Sequence, residues 1–219
     1  MTTIAVLPVK RFDNAKRRLA VRLSPGTRRV LAEAMVTDVL TALRRARHVD
    51  GVVVVTSEHA AEAIARGHGA DAIPDIGDDG HNPAAARGVA WAVERGARRV
   101  LLVPGDCPSL APKELDELLG PRPAPGPEVV LVPDRHGSGT NALVLTPPEV
   151  MAPSFGPGSR ARHEAAAEAA GARFRIAEPP SLVLDVDTIE DLDLLRAALD
   201  DRVGGAAHTR GMLARLDRR

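Results

Sequence analysis

Short runs rich in valine and leucine alternate with longer amphipathic stretches along the first half of the chain. The runs predict buried strands, over residues 3–9, 51–56, 70–75 and 100–103. The stretches between them predict helices, over residues 27–47, 60–67 and 82–96. Strands that are apolar throughout and separated by helices are typical of a mainly parallel sheet covered on both faces. The pattern therefore predicts an α/β, Rossmann-like fold.

The second half of the chain repeats this alternation after a segment rich in proline and glycine, GPRPAPGP at 120–127. We interpret that segment as a stiff surface connection between two halves of one sheet, because neither half has an obvious core of its own. Around it, strands are expected at 128–134, 141–147 and 173–178, and helices at 113–119, 160–170 and directly after Thr188. Residues 1–200 are thus expected to form a single domain and residues 201–219, which are basic and broken by glycine, a loose C-terminal tail.

Composition narrows the function of this fold. Of the 219 residues, 44% are hydrophobic and 26% charged, as in globular proteins. Lys+Arg and Asp+Glu both number 29, and this balance argues against a general nucleic-acid or membrane-surface binder. The chain has one cysteine, no signal-peptide pattern and no apolar run of membrane-spanning length. We therefore expect a cytoplasmic protein that acts on small molecules.

The residues that are candidates for binding or catalysis lie where predicted strands end or helices begin. They are Lys10, Lys16, Asn82, Asp106, Thr140, Gly156, Ser159, Asp185 and Asp187. In doubly wound sheets, ligands bind in the crevice outside the carboxyl ends of the strands. Cations, oriented backbone N–H groups and a few carboxylates together suit a phosphate-rich ligand that carries Mg²⁺. A nucleoside triphosphate or a smaller phosphorylated acid fits that description.

Several of these positions also have a purely structural explanation. The turn HGSGT at 136–140 is equally typical of a hairpin. Asp187 fits a helix cap, and for Asp185 a structural role is the better prediction. Cys107 is expected to be a small buried neighbour rather than a nucleophile. His136 and His163 lie near the anion-binding loops and are assigned no role.

Six motifs occur together and in a fixed order between residues 3 and 200. They are AVLPVK, GHNPAAARGVAWA, LLVPGDCPSL, GSGTNAL, FGPGSRARH and DVDTIEDL. This set resembles the guanylyltransferases of coenzyme F420 biosynthesis, which activate phosphoenolpyruvate or 2-phospho-L-lactate with GTP. GTNAL followed by FGPGSRARH is the most specific part, whereas GD-x-P and D-x-DT-x-EDL are shared with other nucleotidyltransferases of the same fold. The chain departs from the family where GHNPAA replaces the more usual GLNAA.

The resemblance implies a single-domain nucleotidyltransferase fold of the nucleotide-diphospho-sugar transferase type, and it implies two binding sites for the substrates. Phosphoenolpyruvate would be held by Thr140, Gly156 and Ser159. Asp106 would bind Mg²⁺, with Asp187 as a second ligand. These assignments follow from matching motifs rather than from spacing or composition.

The resemblance also implies how the nucleotide is held and used. Lys10 and Lys16 would meet the phosphates of GTP and act in catalysis together with Asp106, and Asn82 would help hold the nucleoside. In the implied reaction, the phosphate of phosphoenolpyruvate attacks the α-phosphorus of GTP and pyrophosphate leaves. We also expect transient contact with the next enzyme of the pathway, which would take up the labile product.

Other functions stay open at this point. The acceptor is 2-phospho-L-lactate or 3-phospho-D-glycerate in one alternative, and the molybdenum cofactor or a sugar phosphate in another. The non-enzymatic alternative is a regulatory module that binds a nucleotide without catalysing a reaction. A dinucleotide-dependent dehydrogenase is disfavoured, because no G-x-G-x-x-G motif follows the first strand.

Overall fold

A computed structural model describes residues 2–14, 16–77, 79–120, 125–201 and 203–218. The strands are β1 (Thr3–Val9), β2 (Gly51–Thr56), β3 (Asp71–Pro74), β4 (Arg99–Leu102), β5 (Glu128–Pro133), β6 (Thr140–Thr146) and β7 (Arg173–Ile176). The helices are α1 (Pro25–Arg45), α2 (His59–Gly67), α3 (His81–Glu94), α4 (Pro112–Leu119), α5 (Ser159–Ala169), α6 (Pro180–Val183), α7 (Ile189–Asp200) and α8 (Ala207–Leu216). Of the expected connection at 120–127, residues 121–124 lie outside the described part of the chain.

The strands form one seven-stranded sheet in the order β3-β2-β1-β4-β6-β5-β7. All described pairings are parallel except the two made by β6, with β4 and with β5. Every residue of β1 is buried, because helices cover both faces of the sheet. One apolar layer lies between the sheet and α1, α2 and α4, and the other lies between the sheet and α3 and α5. The mostly parallel α/β prediction is confirmed.

The reversed direction of β6 brings one more strand terminus to the ligand-binding edge. Leu102 near the end of β4 pairs with Leu143 of β6, and Val100 pairs with Leu145. Because the two strands run in opposite directions, the first residue of β6, Thr140, lies at the edge where β4 ends. The turn at 134–139 joins β5 and β6 as a hairpin, so the hairpin interpretation of HGSGT is also confirmed.

The segment after residue 200 differs from the loose tail expected. Its helix α8 packs along α1, and Leu213 joins a buried cluster with Leu31 of α1 and Leu195 of α7. The buried carboxylate of Asp38 accepts hydrogen bonds from the backbone N–H groups of His208 and Thr209, at 3.1 and 2.8 Å. These contacts satisfy two donors at the start of α8 that have no partner within the helix. Among the described helices, none is both long enough and apolar enough to span a bilayer.

Candidate active site

Three carboxylates meet at the carboxyl end of β4. One oxygen from each of Asp106, Asp185 and Asp187 lies within 4.8 Å of the others. Asp106 lies four residues after the end of β4, and its backbone carbonyl accepts a hydrogen bond of 3.1 Å from the N–H of Val186. That bond anchors the segment carrying Asp185 and Asp187 beside the end of the strand. The structure therefore brings together the two predicted metal ligands and adds Asp185, for which the sequence favoured a structural role.

Lys16 neutralises part of this acidic cluster. Its Nζ lies 2.5 Å from Asp106 Oδ2 and 3.0 Å from Asp187 Oδ1, and its side chain is only 8% exposed. Burial acts to lower the pKa of Lys16, but the two carboxylates outweigh it and raise that pKa above its usual value. The backbone of Lys16 is left-handed, with φ of 55°. A non-glycine residue in this conformation is uncommon, and such residues concentrate at functional sites.

The donor set of the cluster fits a divalent cation. Asp106 Oδ1 is buried and has no hydrogen-bond partner among the described residues. Burial, together with the charges of Asp106 and Asp187, raises the pKa of Asp185 to about 6. Crowded carboxylates of this kind are destabilised by mutual repulsion unless a cation offsets it. Hard divalent cations prefer such oxygen ligands, and the free oxygen of Asp106 supplies one.

A cleft of about 290 Å³ opens beside the cluster. It is lined by Pro8, Val9, Lys10, Phe12, Lys16, Ala32, Met35, Val36, His81, Pro104, Gly105 and Asp106. Lys10 is exposed there, at the end of β1. His81 begins α3, its ring packs edge-on against Phe155, and burial lowers its pKa. An apolar floor with lysines and a carboxylate at one side suits a ligand with both a flat ring system and phosphates.

Asn82, expected at the nucleoside, is bonded to the loop that precedes α5. Its Nδ2 donates to the carbonyl of Phe155 at 3.1 Å, and its Oδ1 accepts from the N–H of Phe155 at 2.6 Å. The side chain thus mimics a strand partner for one residue of the loop. A contact between Asn82 and the nucleoside stays a prediction. Pro83 lies in the first turn of α3, where a missing N–H is tolerated.

The predicted acid-binding residues lie together at the start of β6 and α5. Ser159 Oγ donates to Thr140 Oγ1 at 3.0 Å. Gly156 and Gly158 have positive φ of 112° and 68°, the conformation that turns the chain into α5. Three carbonyls of this turn, at residues 154, 155 and 157, accept hydrogen bonds from Arg162. The structure places these residues next to one another, and the acid as their ligand stays a prediction.

Asn141 connects the predicted acid-binding residues to the acidic cluster. Its Nδ2 donates to the carbonyls of Leu182 and Val183, both at 2.9 Å, and approaches Asp185 Oδ1 at 3.3 Å. Because Asn141 follows Thr140 directly, the Thr140 hydroxyl and the contact to the acidic cluster belong to adjacent residues of β6. The two sites are thus part of one structural unit.

The sequence assigned no site role to three residues that the structure places here: His81 lines the cleft, Asp185 joins the acidic cluster, and His163 Nδ1 lies 3.0 Å from Thr140 Oγ1. The signal for Asp185 was its spacing: in an extended segment, residues i and i+2 point to the same side, so Asp185 and Asp187 act as a pair. The signal for His163 was its place four residues after Ser159, on the same face of α5. His136, by contrast, is exposed. Cys107 is buried, as predicted, and burial raises the pKa of its thiol.

Comparison with solved structures places the fold. The chain resembles a protein from Desulfovibrio desulfuricans described as a nucleotide-diphospho-sugar transferase, with a TM-score of 0.75 over 99% of this chain and 96% of that one. Their sequence identity is 16%, so the likeness shows the fold alone. The expected nucleotide-diphospho-sugar transferase-like architecture is confirmed.

Sequence comparison is more specific. The chain is 56% identical over 216 residues to the phosphoenolpyruvate guanylyltransferase of Conexibacter woesei, a match covering 99% of this chain and 97% of the relative. It is 35% identical over 192 residues to the 2-phospho-L-lactate guanylyltransferase of Methanothermobacter thermautotrophicus, covering 88% of this chain and 83% of that one. Residues 3–203 match the family described as guanylyl transferase CofC like, and the chain belongs to that family.

Proposed function

We propose that this protein is a nucleotidyltransferase that transfers the guanylyl group of GTP to phosphoenolpyruvate, in the biosynthesis of coenzyme F420. The products are enolpyruvyl-diphospho-guanosine and pyrophosphate. One observation carries the proposal. In a chain of this family, an acidic cluster, a buried lysine and the hydroxyl pair of Thr140 and Ser159 lie at one edge of the sheet. The 56% identity to a phosphoenolpyruvate guanylyltransferase supports the acceptor.

Asp106, Asp185 and Asp187 would hold Mg²⁺, which supplies charge neutralisation at phosphate oxygens when it is bound. Lys10, exposed at the cleft, would pair with a phosphate of GTP. Lys16 is buried between two of the carboxylates and fixes their separation. The chain's own part in catalysis is thus alignment and electrostatic stabilisation.

The chemistry requires no general base. An oxygen of the phosphate group of phosphoenolpyruvate attacks the α-phosphorus of GTP, a new P–O bond forms, and the bond between the α-phosphorus and its bridging oxygen to the β-phosphate breaks. Pyrophosphate departs with the electron pair of that bond. The attacking phosphate is already ionised at neutral pH. This agrees with the site, in which the imidazole of His163 and the thiol of Cys107 are both buried.

A coupled assay of pyrophosphate release tests the proposal. GTP, ATP, CTP and UTP are each combined with phosphoenolpyruvate, 2-phospho-L-lactate or 3-phospho-D-glycerate, with Mg²⁺ and with EDTA. We expect release only with GTP, only with Mg²⁺, and fastest with phosphoenolpyruvate. Binding of GTP without release of pyrophosphate in the presence of any acceptor would instead indicate a regulatory module.

A second acceptor is favoured by one specific observation, the 35% identity to a 2-phospho-L-lactate guanylyltransferase over 88% of this chain. In both acids a single carbon carries the carboxylate and the phosphate ester, and the acids differ in the hybridisation of that carbon, which is planar in phosphoenolpyruvate and tetrahedral in 2-phospho-L-lactate. The ratio of kcat/KM values for the two acids in the same assay decides between them.

A further inference from the structure

The imidazole of His163 has a hydrogen-bond partner on each nitrogen. The residue is fully buried on α5. Its Nε2 accepts a hydrogen bond of 2.8 Å from the backbone N–H of Ser154. Its Nδ1 lies 3.0 Å from Thr140 Oγ1. The ring therefore joins the loop before α5 to the hydroxyl that begins β6.

These partners determine where the imidazole carries its proton. A backbone N–H only donates, so Nε2 must present its lone pair to Ser154. Burial, with a smaller contribution from the charge of Arg162, lowers the pKa of His163 to about 4, so the ring is neutral at physiological pH. A neutral imidazole has one N–H, which must then be on Nδ1. That N–H donates to Thr140 Oγ1.

Counting protons shows what this does to the hydroxyl pair. Thr140 Oγ1 accepts two hydrogen bonds, from His163 Nδ1 and from Ser159 Oγ. Its own proton has no acceptor among the described residues. Ser159 and His163 are fully buried, whereas Thr140 is only half-buried, so this proton faces the open side of the site.

The opposite tautomer would reverse the polarity of the network. With the proton on Nε2, Thr140 would donate to Nδ1 and Ser159 would donate to Thr140. Both hydroxyl protons would then be consumed, and the pair would offer a ligand only lone pairs. An anion accepts hydrogen bonds and is repelled by lone pairs. The contact between Ser154 and His163 thus decides whether the pair attracts an anion.

We propose that His163 is a positioning residue that fixes the Thr140 hydroxyl as a hydrogen-bond donor to the carboxylate or phosphate of the phospho-acid. The inference rests on the proposed function, since it assigns that acid to the site beside Thr140. His163 itself does not touch the substrate and acts through Thr140. This positioning role also explains why a histidine follows Ser159 by four residues, on the same face of α5.

Two substitutions separate the two nitrogens of the ring. The amide of His163→Asn reaches the position of Nδ1 and retains a donor to Thr140. The longer side chain of His163→Gln reaches the position of Nε2 and retains only the contact with Ser154. We expect His163→Gln to raise the KM for phosphoenolpyruvate about tenfold or more, the usual effect of losing one hydrogen bond to a charged group, with kcat and the KM for GTP unchanged. His163→Asn should stay within about threefold of the unsubstituted protein. Equal effects of the two variants, or a parallel rise in the KM for GTP, would overturn the proposal.

A double-mutant cycle separates positioning from general damage to the fold. Thr140→Val removes the hydroxyl, so adding His163→Gln to it should cause no further rise in the KM for the acid. Additive effects would show that His163 acts elsewhere. Far-ultraviolet circular dichroism and thermal unfolding of each variant identify any that fail to fold.

Nitrogen NMR tests the tautomer of His163 without an enzyme assay. In protein labelled with ¹⁵N on histidine, the signals absent from His163→Asn belong to His163. We expect a proton on Nδ1 and none on Nε2, and the reverse would refute the inference. Suppose that the Nδ1 proton is observed but none of the phospho-acids supports pyrophosphate release by the unsubstituted protein. The proposed function would then fail, and the polarity of the network would stand.

Discussion

Lys16 is the buried cation that contacts the acidic cluster among the described residues, and replacing it with methionine removes that charge. At an effective dielectric constant of 20, unit charges 2.5 to 3.0 Å apart attract by roughly 6 kcal/mol. Desolvation of the ammonium offsets much of this attraction, and Asp187 is 47% exposed and therefore partly screened. Loss of one partner from a buried pair costs about 3–5 kcal/mol, and this exposure favours the lower end. We expect Lys16→Met to lower the free energy of unfolding by about 3 kcal/mol in the absence of metal.

Thermal unfolding measures this change. For a chain of this size, about 3 kcal/mol corresponds to a decrease in Tm of roughly 6–12 °C. Added Mg²⁺ should restore most of the loss, because the ion neutralises the same carboxylates and stabilises the folded state by mass action. The increase in Tm with Mg²⁺ should therefore be larger for Lys16→Met than for the unsubstituted protein.

Arg18→Met provides the matched control. Its guanidinium lies 4.0 Å from Asp187 and its side chain is 75% exposed, so its removal should change Tm by no more than a degree or two. If both variants were equally stable, or if Mg²⁺ raised the Tm of both equally, Lys16 would not be the counter-charge of the cluster.

Four further outcomes follow from the same geometry. Asp106→Asn should reduce turnover at least about a hundredfold while the protein still folds, as measured by pyrophosphate release and circular dichroism, and near-normal turnover would exclude it as a metal ligand. Ser159→Ala should raise the KM for the acid and leave the KM for GTP unchanged, and equal loss of both would contradict separate binding sites. The pKa of His163 is about 4 in the folded protein, against an ordinary 6.5. Between these two pH values the imidazole is protonated in the unfolded chain but neutral in the folded one. Stability should then fall as the pH falls from 6.5 towards 4, by roughly 2 kcal/mol at pH 5, and His163→Asn should lack this part of the slope in thermal unfolding. Asn82→Ala should expose the backbone of Phe155 to faster hydrogen exchange, and unchanged exchange there would mean that its two hydrogen bonds do not hold the loop.

Local sequence patterns were sufficient for most elements of the fold. The strands β1 and β2 begin and end where their apolar runs do, because those runs are buried on both faces and bounded by polar residues. The direction of β6 left no such mark. Its central residues, 142–145, are apolar and buried like those of a parallel strand, and only its pairing with β4 and β5 shows the reversal. The hydrophobic pattern of a strand indicates whether the strand is buried, whereas its direction depends on the strands with which it pairs.

The candidate site was predictable in its location but not in its contacts. Residues at strand ends were expected to meet because those ends share one edge of the sheet. Which residues bond to which depends on pairs far apart in sequence. Lys16 and Asp187 are 171 positions apart, and Asn82 and Phe155 are 73 apart. No local spacing encodes such pairs, so the bonding of Asn82 to the loop emerged only from the structure.

The contact between Asp38 and helix α8 has a consequence for folding during synthesis. The carboxylate is only 5% exposed, and its partners at His208 and Thr209 lie 170 and 171 residues later in the chain. At about 5–20 residues per second, the ribosome needs roughly 10 to 30 s to make that interval. Until then α1 carries a charged group that the folded protein keeps from water, together with apolar residues that α8 will cover. The first helix therefore cannot settle into its final packing while the sheet that it covers is still being made, and a nascent chain halted before residue 207 leaves this face open to chaperones and proteases.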